Sequence, residues 1–222
     1  MSSIETATAT PVLDELPATQ QARSRALRER ILTAAEEVIS RHGFEQASIA
    51  DIAKLAGCSV GSIYVRIGDK DKLLACLYER ACSEWVEALE ELCDPKRWQG
   101  ASLEDIVAAT VQWMVAIQRE SAGLTRAFIA RGINDPEFSK GWDELIRTHV
   151  AGLTRLLLSR RSEITHPNPR YAVKLCVWTL EGLLDELVFC DSDEREFLSL
   201  SDKKLPREVT RLLLSYLTGT AG

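Results

Sequence analysis

Residues 48–72 read SIADIAKLAGCSVGSIYVRIGDKDK, and this run leaves the chain few choices of fold. Ser48 with Asp51 three residues on has the form of a helix N-cap followed by an acid in the first turn. Gly57 suits the left-handed conformation that ends a helix. Ser59 reads as the cap of a second short helix running to Tyr64, and Asp69 as the cap of a long one. Two short helices joined by a tight turn therefore lie between two long ones.

The flanking helices are written in the apolar spacing. Upstream, from near Arg23, Leu27, Ile31, Ala34, Ala35, Val38 and Ile39 recur at helical intervals, and Gly43 stands where that helix should stop. Downstream of Asp69, Leu73, Leu74, Leu77, Tyr78, Ala81, Trp85, Leu89 and Leu92 form one buried stripe. CDPKRWQG then reads as a loop. Ser102 caps a segment to about residue 119, a shorter piece spans 123–132, and Asp135 or Asn134 caps a long helix through about residue 161, with Pro136 in its first turn. THPNPR starts a helix over 171–190 with a broad apolar face, and Pro206 opens a final one carrying Val209, Leu212, Leu213, Tyr216 and Leu217.

No strand-like alternation competes with these patterns, so the expected fold is all-α, with about nine to ten helices in total. Residues 1–21, rich in Ser, Thr, Ala and Pro, read as a disordered tail; residues 22–68 as a three-helix unit; and residues 69–222 as a larger helical domain.

A short helix, a glycine-bearing turn and a second short helix make a helix-turn-helix, whose second helix enters the DNA major groove. Ile52, Ala53 and Ile63 are the inward anchors, which leaves Ser59, Val60, Gly61, Ser62 and Tyr64 facing out. The formal net charge of −6 counts against nucleic acid, but residues 20–72 hold nine Lys and Arg against seven Asp and Glu. The basic part of the chain is thus the part with the turn.

Other chemistries lack their signatures. The six cysteines form no CxxC pair and the three histidines no ligand spacing, so neither metal nor disulfide is expected. GxSxG, HExxH, P-loop and Rossmann patterns are missing, so no catalytic residue and no cofactor is expected. No apolar run approaches the ~18 residues of a membrane span. The first residues, MSSIETATATPVLDELPATQ, have neither a basic leader nor an apolar signal core, and a cytoplasmic protein is expected.

Residues 30–74, RILTAAEEVISRHGFEQASIADIAKLAGCSVGSIYVRIGDKDKLL, strongly resemble the N-terminal DNA-binding region of the tetracycline-repressor (TetR) family of bacterial transcription regulators. The resemblance lies in IL-AA, the following G-F, I-A--AG-S-G-IY across the turn, and DK--LL at the start of the next helix. It implies that Ser48, Ser59 and Lys70 contact phosphates, and that Val60, Gly61, Ser62 and Tyr64 lie against bases or backbone in the major groove. The family pattern after the tyrosine is Y-x-H-F, whereas this chain has Tyr64, Val65, Arg66, Ile67. Ile67 can fill the core as an aromatic would, and Arg66 is expected to add or replace a phosphate contact.

The same resemblance implies a ligand-binding and dimerisation domain after the DNA-binding one. The last two long helices would form a four-helix bundle with a second copy, setting two recognition helices ~34–36 Å apart on a palindromic operator of double-stranded DNA. Trp113, Met114, Phe128 and Trp142 fall on the central helices that line the family's cavity; His149 is a candidate polar group there, and Trp178 a further aromatic one. Glu181 reads either as a buried acid or as a dimer-seam contact. The expected effector is an unknown small apolar or aromatic molecule that releases a repressor from DNA. The acidic total charge, and a recognition segment without Lys or Arg before Arg66, leave a second reading: a helical dimer that binds a ligand or protein without specific DNA binding.

Overall fold

The computed structural model describes residues 18–189 and 203–219. These form eight α-helices: α1 Ala18–His42, α2 Ile49–Ala56, α3 Val60–Arg66, α4 Lys70–Leu92, α5 Leu103–Asn134, α6 Pro136–Leu158, α7 Pro169–Phe189 and α8 Leu205–Thr218. Two short 3-10 turns, Pro95–Trp98 and Arg161–Glu163, complete the helical structure, and no strand occurs among the described residues.

The expected caps close their helices. Ser48, Ser59, Asp69 and Ser102 each accept an N–H from the residue three ahead, and of the two candidates before Pro136 it is Asp135 that accepts from Phe138. Each such bond satisfies an N–H that the first turn leaves without a carbonyl, a contribution of about 1 kcal/mol. The loop at residues 93–100 is ordered by Trp98, whose buried indole N–H donates to the Leu92 carbonyl at 2.6 Å.

Several boundaries differ from those expected, among them α3, which runs to Arg66 rather than Tyr64. α1 begins at Ala18, so residues 18–21 are helical, while residues 1–17 of the expected tail lie outside the described residues. α6 ends at Leu158 and α7 is described only to Phe189, which leaves Cys190 outside. One difference matters most: the two segments expected on either side of residues 119–123 are one helix, α5, of 32 residues. Gly123 is no breaker. A Cβ there would lie 2.9 Å from the Ser40 Cα and 3.1 Å from the Ile39 carbonyl oxygen, so glycine lets α5 cross α1 backbone to backbone.

The buried apolar residues form two clusters. One joins α1, α2, α3 and the N-terminal half of α4 with Leu124, Ala127 and Phe128 of α5. The other joins Leu89 and Leu92 of α4 and the first half of α5 with α6, α7 and α8. Packing therefore does not divide at residue 69. α4 and α5 each run from one core into the other, and a rotation of either is felt in both, since close-packed interiors transmit displacement.

Candidate nucleic-acid interface and internal cavity

α2 and α3 are joined through Gly57, which holds φ 64° and ψ 44°, a region most side chains avoid. Behind the turn Ile52 and Ile63 are fully buried, and Ile67 nearly so. Ile67 thus fills the place the sequence assigned to it. Gly68, at φ 105°, makes the second left-handed corner, between α3 and α4.

At about 100° per residue, Ile63 and Ile67 point one way from α3 and Val65 points the opposite way. Val65 is 84% exposed, and Tyr64 and Val60 are also exposed. Gly61 has open space where a Cβ would stand, its nearest neighbour being Ser59 Oγ at 3.9 Å. Ser59 Oγ accepts from the Ser62 N–H at 3.2 Å and pairs with the Ser62 hydroxyl at 2.9 Å. Ser48 does the same at the start of α2, accepting from the Asp51 N–H at 3.1 Å. The outward face of α3 is therefore uncharged, carrying valine, glycine and the hydroxyls of serine and tyrosine. Val65 was not among the expected contact residues, although the helical period alone places it at the centre of that face.

The cations sit at the margins. Arg66 donates Nη1 to the Ser62 carbonyl at 3.4 Å and lies back along its own helix, exposed. Lys70, the first residue of α4, donates Nζ to the Glu45 carbonyl at 3.0 Å, with the ammonium 4.6 Å from the centre of the Phe44 ring. Lys70 is thus already engaged within the protein, with its charge held in place.

The second feature is a cavity of about 40 Å³ between α4, α5, α6 and α7. Trp113, Met114, Trp142 and His149 line it, as the sequence suggested. Phe128 does not: it is fully buried one layer behind, its ring 6.3 Å from that of Trp85 and 6.4 Å from that of Trp142. Trp178 does not either. It is 55% exposed on α7, because the next helices cover α7 on another side. Trp85, read from sequence only as core, is a wall of the cavity and meets Trp142 edge-on at 6.1 Å.

α7 contributes two carboxylates to this cavity, Glu181 and Asp185, four residues apart and so one turn apart. Glu181 is buried, which settles its reading as a buried acid. Its Oε1 stands 3.6 Å from His149 Nδ1, just beyond hydrogen-bond reach, and both Glu181 Oε1 and His149 Nε2 are buried without a hydrogen-bond partner. Asp185 accepts from Gln118 Nε2 at 3.2 Å, and the Thr125 hydroxyl donates to the other end of that amide at 3.3 Å. Burial first, and the charge of Glu181 second, push the Asp185 carboxyl up to about 6. Asp185 was missed in the sequence, though its i+4 spacing from Glu181 was the available signal.

Two family models match the chain: that of bacterial regulatory proteins of the tetR family over residues 31–77, and that of the tetracyclin repressor-like C-terminal domain over residues 102–217. The chain belongs to the TetR family of transcriptional regulators.

Among TetR-family relatives, the HTH-type transcriptional repressor Rv1474c of Mycobacterium tuberculosis is 27% identical over 184 residues, covering 81% of this chain and 92% of that one. The fatty acid metabolism regulator protein of Bacillus subtilis is 36% identical over 62 residues, 28% of this chain and 32% of the relative. The crystal structure of FadR from Bacillus subtilis in complex with stearoyl-CoA superposes with a TM-score of 0.62 at 23% identity, over 85% of this chain and 98% of that one. A TetR-family regulator from Mesorhizobium loti superposes with a TM-score of 0.64 at 21% identity, over 88% and 95%. This TetR-family chain has, among its described residues, no helix long and apolar enough to cross a membrane and no group of His, Cys, Asp and Glu placed to hold a metal.

Proposed function

We propose that this chain is a cytoplasmic repressor, not an enzyme, that binds a palindromic operator as a homodimer and releases it when a small molecule enters the cavity between α4 and α7. The observation that carries this reading is the shared helix α4. Its first turns hold Lys70, Leu73 and Leu74 against the helix-turn-helix, and four turns later it presents Trp85 to the cavity. An occupant that displaces Trp85 tilts the helix on which the recognition unit is seated. Such a ligand shifts the population toward the non-binding spacing only by binding that state better.

On DNA, Val60, Gly61, Ser62 and Tyr64 approach the bases, while Ser48, Ser59, Lys70 and Arg66 hold phosphates. Small apolar groups suit close approach to the thymine methyl, and fixed cations set register without reading sequence. Dimerisation runs through α7 and α8. Tyr171, Leu175 and Trp178 are exposed on one strip of α7, with Gly182 next along it, and Leu212 and Tyr216 are exposed on α8. Apolar rows of this kind on adjoining helices are what a four-helix bundle with a second copy covers. Trp178 thereby moves from the cavity to the dimer face. The stearoyl-CoA held by the Bacillus subtilis FadR supports ligand binding within this fold, and the tryptophan-lined cavity favours an effector with an aromatic or apolar body.

Fluorescence anisotropy on the DNA upstream of the chain's own coding sequence tests this. Log affinity should fall linearly with log salt between about 50 and 200 mM, and random DNA should compete poorly. Equal affinity for all DNA, or none at the lowest salt, overturns it.

A further inference from the structure

We infer that the effector carries a positive charge: a protonated amine or quaternary ammonium on an apolar or aromatic body, held between Glu181, Asp185 and the indoles of Trp85, Trp113 and Trp142. This rests on the effector-release reading above and names the ligand class of that cavity. Among the described residues, no lysine or arginine lines the cavity, while two carboxylates on successive turns of α7 do. The ionisable group that faces them is His149 of α6, and the nearest polar groups are Gln118 and Thr125 of α5.

The polar atoms are left incomplete. Glu181 Oε1 and His149 Nε2 are both buried without a hydrogen-bond partner, and the only ionisable neighbour of Glu181 on α6 stops at 3.6 Å. A buried carboxylate oxygen left without a hydrogen bond is costly, and a second carboxylate a turn away raises that cost. An occupant cation removes both penalties. An anionic occupant adds a third negative charge, and an apolar neutral one leaves the two acids as they are.

The aromatic walls make the same choice. Trp85 and Trp142 meet edge-on at 6.1 Å with their planes 80° apart, and the Trp113 ring lies 6.1 Å from that of His149. Indole faces carry the negative end of the ring quadrupole and attract cations within about 6 Å, more strongly when water is excluded. At about 40 Å³ the cavity holds no more than a few waters, so the effector enters by parting α6 from α7. Parting them separates His149 from Glu181, and the ammonium takes the histidine's place.

The test is calorimetric titration of the full-length protein, without DNA, using benzyltrimethylammonium, its uncharged carbon isostere neopentylbenzene, and 3-phenylpropionate. A parallel gel shift reads release of operator DNA. The ammonium should bind at least about tenfold more tightly than either other probe, a difference of about 1.4 kcal/mol. Its preference over the neutral isostere should fall about tenfold in Glu181→Gln and in Asp185→Asn, with folding of both checked by circular dichroism melting. The proposal is overturned by equal or tighter binding of the neutral or anionic probe, by no measurable ammonium binding, or by an unchanged preference in both folded variants. A neutral or anionic probe that binds and releases operator leaves the effector-release reading intact. Failure to hold operator at any salt overturns that reading, whatever the calorimetry gives.

Discussion

Gly123 of α5 lies so close to Ser40 of α1 that a Cβ on it would stand 2.9 Å from the Ser40 Cα. This crossing ties the helix-turn-helix to the longest helix of the cavity domain. Gly123→Ala gains up to about 1 kcal/mol in helix propensity. It must also push two backbones apart, at a cost of about 1–3 kcal/mol. Net destabilisation in urea unfolding is expected, and a variant as stable as the parent would show that the crossing is slack.

Val65 is the most outward residue of α3, and nothing in the fold requires its side chain. Val65→Ala should leave unfolding stability within about 0.5 kcal/mol of the parent. Operator affinity should drop about three- to tenfold, with the loss largest on half-sites where a thymine methyl meets it. Replacing those thymines by uracil should reproduce the loss in the parent and add little in the variant.

Arg66 lies back along its own helix, exposed at the margin of the outward face of α3 and donating Nη1 to the Ser62 carbonyl at 3.4 Å. Arg66→Ala should weaken binding similarly on all operator sequences and reduce the slope of log affinity against log salt by about one. An unchanged slope would leave Arg66 outside the complex.

Asp185 is held up at about 6 by burial and by Glu181, above the ordinary carboxylate value. The folded protein therefore binds this proton more tightly than the unfolded chain does. Stability is greatest below the unfolded value near 4 and falls as pH rises through about 6. Asp185→Asn, which can still accept from Gln118, should raise Tm above pH 7 by the equivalent of about 1–2 kcal/mol, and the gain should vanish by about pH 4. A gain that is constant across pH would assign it to packing instead.

Leu175 and Trp178 are exposed on α7, 40% and 55% respectively, so charge can be added there without entering either core. Leu175→Glu with Trp178→Glu should give a folded monomer in sedimentation and abolish tight operator binding, because the two half-sites are no longer read together. A dimer that survives both changes would place the interface elsewhere.

Capping was legible because it is local. Ser48, Ser59, Asp69, Ser102 and Asp135 each close a hydrogen bond three residues ahead, so the boundary and its reason lie within one turn of chain. Of the outward set on α3, Gly61, Ser62 and Tyr64 followed in the same way, while Val65 at its centre was missed although the same helical period gives it.

What could not be read in one dimension was which neighbour each face meets. A break was expected just before Gly123, yet the helix runs on through it, and glycine is kept there because a Cβ would stand 2.9 Å from the Ser40 Cα of α1. Trp178 and Glu181 stand three residues apart on α7 in an almost wholly apolar run, yet one faces out and the other into a cavity opposite His149. The residue types alone would have reversed them. Most of the helices and their caps were determined by bonds that close within a few residues. The cavity, its acids and the division of α4 and α5 between two cores depend on helices brought together from distant parts of the chain, which only tertiary packing decides.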